Sequence, residues 1–72
     1  MIRLARSGSE WGVYCTLGFF PFPNIEVASD YLVSKLKVKD DEIDEALIQM
    51  FSLNKAVAVF DYEGNFVKTA NL

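Results

Sequence analysis

The chain contains no histidine, which narrows the chemistry open to its 72 residues. Imidazole is the commonest general base and the usual activator of a serine nucleophile. Ser7, Ser9, Ser29, Ser34 and Ser52 therefore have no Ser–His partnership to enter. Cys15 is the lone thiol. Its alternation phase matches Val13 and Leu17, which reads as a core position rather than a reactive one. One thiol without imidazole cannot complete a zinc site. Gly8, Gly12 and Gly18 fit neither dinucleotide-binding nor P-loop spacing. The expectation is a protein that is not an enzyme and that holds no cofactor or metal.

Two stretches could instead carry binding. The acidic run Asp40, Asp41, Glu42, Asp44 and Glu45 places Asp40, Glu42 and Asp44 at alternate positions, as in a calcium-binding EF-hand loop. The glycine such a loop needs is replaced by Glu45, and its bidentate glutamate by Phe51. The run then reads either as the solvated first turn of a helix, where carboxylates complement the helix dipole, or as a patch that steers the protein to a basic partner. The segment Phe19-Phe20-Pro21-Phe22-Pro23 is the second stretch. Alternation sends Phe19 inward and leaves Phe20 and Phe22 open to core or interface roles. Flanking prolines would stiffen them as anchors. The candidate partner-binding residues are thus Phe20, Phe22, Asp40, Asp41, Glu42, Asp44 and Glu45.

These residues need elements to hold them. Ile2–Arg6 reads as a short strand at a sheet edge, and Ser7-Gly8-Ser9 as a turn. From Trp11 to Phe19 a period of two puts Trp11, Val13, Cys15, Leu17 and Phe19 on one strand face. Pro21 and Pro23 exclude a central strand there. A first helix caps at Asn24 or Ser29, with Ile25, Ala28, Leu32 and Leu36 on its stripe. Lys35, Lys37 and Lys39 at its end complement the dipole. A second helix, capped by Asp40 or Asp41, carries Ile43, Ala46, Leu47, Met50 and Phe51 at helical spacing, which predicts burial of Leu47 and Phe51. Asn54 ends it. Ala56–Phe60 is apolar on both faces, so it belongs inside a sheet. Asp61-Tyr62-Glu63-Gly64-Asn65 fits a hairpin with Gly64 in the left-handed region, and Phe66–Ala70 returns with Phe66 inward. The prediction is one α+β domain in the order β-β-α-α-β-β, an antiparallel sheet packed on two helices.

About half of the residues are apolar, with six Phe, three Tyr and one Trp to build a small core. Seven basic and ten acidic side chains leave a formal charge of −3, which disfavours nonspecific nucleic-acid binding. The first apolar run is too short for a signal peptide, and no stretch approaches the roughly 20 apolar residues of a membrane helix. A single cysteine fits a reducing compartment, so the expected location is cytoplasmic.

From Glu42 to Gly64, the residues Glu42-Ile43, Ala46-Leu47-Ile48, Phe51, Lys55, Val57, Asp61 and Gly64 resemble the C-terminal part of the Dmd phage antitoxins. The resemblance implies a protein-binding inhibitor, and as partner a host endoribonuclease toxin of the RNase LS type. An inhibitor of another host machine, such as RNA polymerase or a CRISPR effector, is the alternative within that class. A small nucleic-acid-binding module or a structural subunit are the alternatives outside it.

Overall fold

The computed structural model describes residues 1–71. The elements are β1 (Ile2–Ser7), β2 (Glu10–Cys15), β3 (Gly18–Phe22), α1 (Ile25–Ser34), α2 (Asp40–Leu53), β4 (Val57–Phe60) and β5 (Phe66–Ala70). All strand pairs are antiparallel, in one sheet of order β3-β2-β1-β4-β5. Both helices pack on one face of it. The core unites Ile2, Leu4, Trp11, Val13, Ala58 and Phe60 from the strands with Ala28, Leu32, Ile43, Ala46 and Met50 from the helices. The architecture is the α+β sheet-on-two-helices expected, with three strands rather than two before the helices. Among the described residues, no helix is long and apolar enough to cross a membrane.

The extra strand comes from a hairpin inside the alternating stretch. Cys15 pairs with Gly18, so Thr16 and Leu17 form a two-residue turn. Residues opposite each other share a sheet face, so this turn switches the inward phase from odd to even numbers. Trp11, Val13 and Cys15 face the helices as expected. Leu17 is 72% exposed at the turn. Phe19 faces away from the core, which reverses its expected assignment, and Phe20 and Phe22, left open between core and interface, face the core. A second correction concerns β1. It is the middle strand, paired with β2 through Leu4–Val13 and with β4 through Leu4–Ala58. Arg3 and Arg6 are thus central-strand residues, not edge ones.

Asn24 caps α1, its Oδ1 accepting the Val27 N–H at 3.0 Å. Ala28 and Leu32 of its stripe are buried, and Ile25 and Leu36 half-buried. Its end turns through a left-handed residue that redirects the chain into the core. Lys37 takes a left-handed φ of 61°, the Val38 N–H donates to the Leu32 carbonyl at 2.9 Å, and Val38 is buried in the core.

In α2 the N-cap is Lys39, and neither Asp40 nor Asp41; these two occupy the first turn with Glu42. The buried residues are Ile43, Ala46 and Met50, while Leu47 is half-buried and Phe51 is 58% exposed. The expected burial of Phe51 is therefore corrected, and that of Leu47 is met only in part. At about 100° per residue, Met50 lies only about 20° from Ile43 around the helix, but Phe51 about 80° from it. Phe51 sits on the flank, under the Arg6 guanidinium at 4.8 Å and edge-on to Trp11 at 6.4 Å. Asn54 closes α2 in the left-handed conformation.

The β4–β5 turn matches its expected chemistry. Asp61 Oδ1 accepts the N–H groups of Glu63 (3.0 Å) and Asn65 (2.9 Å). These bonds, the one from Asn65 foremost, hold the Asp61 carboxyl below the usual carboxylate range. A lowered folded-state pKa gives stability that is complete above the ordinary Asp value of about 3.9 and lost as pH falls through the lowered value. Asp61→Ala is thus expected to lower the urea midpoint at neutral pH and to flatten the acid limb of the stability profile. Identical acid limbs for parent and variant would show that the carboxylate contributes nothing.

Candidate functional site

The predicted binding residues divide into two groups that the fold keeps apart. Phe20 and Phe22 lie on β3, one edge of the sheet, and both rings stack on Tyr31 of α1 at centroid distances of 5.4 and 5.3 Å. Both are half-buried, and Phe22 packs against the main core. This stack accounts for the two rings without a partner.

The acidic run begins α2 near the opposite edge. Asp40, Asp41, Asp44 and Glu45 are exposed, and Glu45 accepts a hydrogen bond from Gln49 at 3.1 Å. Glu42 is different. It is half-buried, and its Oε1 accepts the Phe66 N–H at 2.8 Å. The Lys39 N–H donates to the Gly64 carbonyl at 3.0 Å, and Lys39 Nζ to Asn65 Oδ1 at 2.9 Å. Three hydrogen bonds therefore fasten the β4–β5 hairpin to the start of α2. Glu42 is a latch, and its role is structural. Four intervening strand spacings of about 4.8 Å put the aromatic and acidic groups about 19 Å apart across the sheet. They do not form one surface.

What the sequence reading missed is the sheet face opposite the helices. Ala5, Val57 and Val59 form a second, smaller apolar cluster there, joined by Ala56 and Ala70. Cross-strand register orders this face into rows. Phe19, Tyr14, Arg3, Val59 and Lys68 are successive neighbours in one row. Pro21, Gly12, Ala5, Val57 and Ala70 make the next. The second row is small and apolar, so the first stands above it as a wall. Phe19 and Tyr14 are 51% and 43% exposed, with their rings 4.6 Å apart. The Phe19 ring also reaches over Gly12, where any Cβ would collide with it. Gly12 is thus required by close approach and not by a bend.

The face is concave. One depression of about 450 Å³ is bounded by Arg3, Tyr14, Val59 and Lys68 over the Ala5–Val57–Ala70 floor. A second, of about 250 Å³, continues past Tyr14 and Gly12 to Phe19 and Pro21. Arg3 and Lys68 flank Val59, so their aliphatic stems run over the floor with the charges outward. Among the described residues, Glu10 is the only acidic side chain bordering these depressions, beyond the small row. Seven of the ten acidic residues (Glu26, Asp30 and the Asp40–Glu45 run) belong to the helices instead. The signal that could have found this face was the even-phase set Gly12, Tyr14 and the odd-phase Arg3, Ala5, Val57, Val59, once the strand order was known. Among the described residues, no cluster of three or more His, Cys, Asp or Glu is placed to hold a metal ion.

No family model matches the chain, and no curated protein or solved structure matches it either.

Proposed function

We propose that this chain is a small non-enzymatic inhibitor that works by binding one host protein, in the manner of a phage antitoxin against an endoribonuclease toxin. The observation that carries the binding role is the uncovered sheet face, where exposed aromatic rings border a concave apolar floor. Ala5, Val57 and Val59 in the floor are themselves only 5–7% exposed, so the apolar surface offered to a partner is that of the Phe19 and Tyr14 rings beside the depression, and exposed aromatic rings are enriched at protein-binding sites. The resemblance over Glu42–Gly64 supports the antitoxin class. The residues that carry it include the buried Ile43 and Ala46 and the latch between Glu42 and the β4–β5 hairpin, so it speaks to a shared scaffold more than to a shared contact surface.

A second reading is favoured by one observation. The row Phe19, Tyr14, Arg3 and Lys68 combines stacking rings with cations, as a single-stranded nucleic-acid platform does. The overall charge of −3 weighs against it.

Coexpression with an RNase LS-type toxin tests the first reading. Growth rescue is expected, with a complex that survives gel filtration, and Tyr14→Ala with Phe19→Ala should weaken that complex at least tenfold. Continued toxicity with no complex would remove this target. Full rescue by the double variant would move the interface off the sheet. Salt-sensitive retention of an oligonucleotide, with no protein complex, would favour the second reading.

A further inference from the structure

We infer that the occupant of the open sheet face is an acidic amphipathic α-helix of a protein partner, laid across the strands along the Pro21–Gly12–Ala5–Val57–Ala70 row. This rests on the protein-binding reading above and specifies the partner's chemistry.

The backbone of the face excludes an added strand. Each of the three inner strands is paired on both sides, so the floor offers an incoming chain no free backbone donors or acceptors. Whatever lies on the floor must satisfy its own backbone, as a helix does and an added strand does not. The dimensions agree. Five strands about 4.8 Å apart make the row about 19 Å long, which is about 13 helical residues at 1.5 Å each. The wall row and the Ser7–Glu10 pair lie on either side of the small row. They are four residues apart along the strands, about 13 Å, against a helix diameter of about 10–12 Å.

Charge decides the sign. Arg3 and Lys68 are separated by Val59 alone in the wall row, two strand spacings or about 10 Å. Carboxylates at i and i+7 on a helix are spaced about 10.5 Å along its axis and would meet both cations. The partner helix would thus carry two such carboxylates beside an apolar stripe, with its other end against Tyr14 and Phe19. A second copy stacked sheet to sheet about a two-fold axis through Val59 would bring Arg3 and Lys68 against the other copy's cations, so the charge opposes that arrangement.

The test uses amide chemical shifts of the full chain on titration with a 14-residue helix-forming peptide carrying a leucine stripe and glutamates seven residues apart. Its lysine-substituted twin and a ten-residue thymidine oligonucleotide are the comparators. The expected result is shifts confined to the open face, around Ala5, Tyr14, Val57, Val59 and Lys68. Binding of the glutamate peptide should be at least tenfold tighter than that of its twin. Arg3→Glu with Lys68→Glu should weaken it at least tenfold and invert the preference, and Ala70→Trp, which fills the floor, should abolish it with the fold retained. Shifts on α1 or α2, no shifts at all, tighter binding of the oligonucleotide, or self-association that accounts for the same shifts would each overturn the proposal. Toxin rescue through the sheet face without peptide binding would sink the helix and leave the inhibitor reading. Peptide binding without any toxin complex would do the reverse.

Discussion

Phe60→Ala is expected to lower the free energy of unfolding by about 3–5 kcal/mol. Phe60 is the largest of the fully buried side chains. It sits opposite Ile2 across the sheet, meets the Phe66 ring edge-on at 6.0 Å, and belongs to the cluster that includes Ile43 and Met50 of α2. Truncation removes the transfer energy of the ring and leaves a cavity between two layers that cannot both collapse into it. At about 0.05–0.15 kcal/mol per residue, a domain of this size has only about 4–11 kcal/mol to lose. The variant should therefore be largely unfolded at temperatures where the parent is stable, and urea or thermal denaturation will measure the gap. Leu47→Ala should cost clearly less, because Leu47 is only half-buried on the flank of α2. Equal losses at the two sites would contradict the helix orientation described above.

Gly64→Ala is expected to cost roughly 2–5 kcal/mol, from two separate causes. Gly64 holds a φ of 89°, which a residue with a Cβ resists. A Cβ there would also run into the Lys37 carbonyl oxygen, with Val38 Cα and the Lys39 nitrogen both at 3.3 Å. The hairpin would have to lift from the α1–α2 loop, and the Lys39–Gly64 and Glu42–Phe66 hydrogen bonds would go with it. Gly64→Asn separates the causes. Asparagine tolerates the left-handed region, so a dihedral effect alone would leave it near the parent, whereas the collision makes it as damaging as alanine. Stability is read from denaturation midpoints. Protection of the Phe66 amide from hydrogen exchange should fall in both variants, and unchanged protection would rule out the latch.

The helices, the last hairpin and the α+β class were legible from local signals. Asn24 caps by side-chain chemistry, Asn54 and Gly64 mark left-handed positions, and the Val57–Phe60 run is apolar on both faces because Ala58 and Phe60 meet the helices while Val57 and Val59 form the small cluster on the other side. These features depend on residues within a few positions of one another. The sheet order did not, and neither did anything that followed from it. Nothing local says that β4 pairs with β1, so Ile2–Arg6 read as an edge when it is the centre. A continuous alternation from Trp11 to Phe19 does not show where a two-residue turn reverses it, so it sends Phe19 inward and leaves Phe20 and Phe22 open, whereas the hairpin turns Phe19 out and Phe20 and Phe22 in. On α2 Ile43, Ala46 and Met50 are buried as their spacing predicts, but helical phase alone did not say which side met the sheet, and Leu47 and Phe51 fell towards the rim. The open face joins single residues of all five strands. Arg3, Tyr14, Val59 and Lys68 are far apart in the chain and become neighbours only through register. Periodicity within the sequence determined which residues could be buried, and long-range pairing alone decided which of them stayed uncovered.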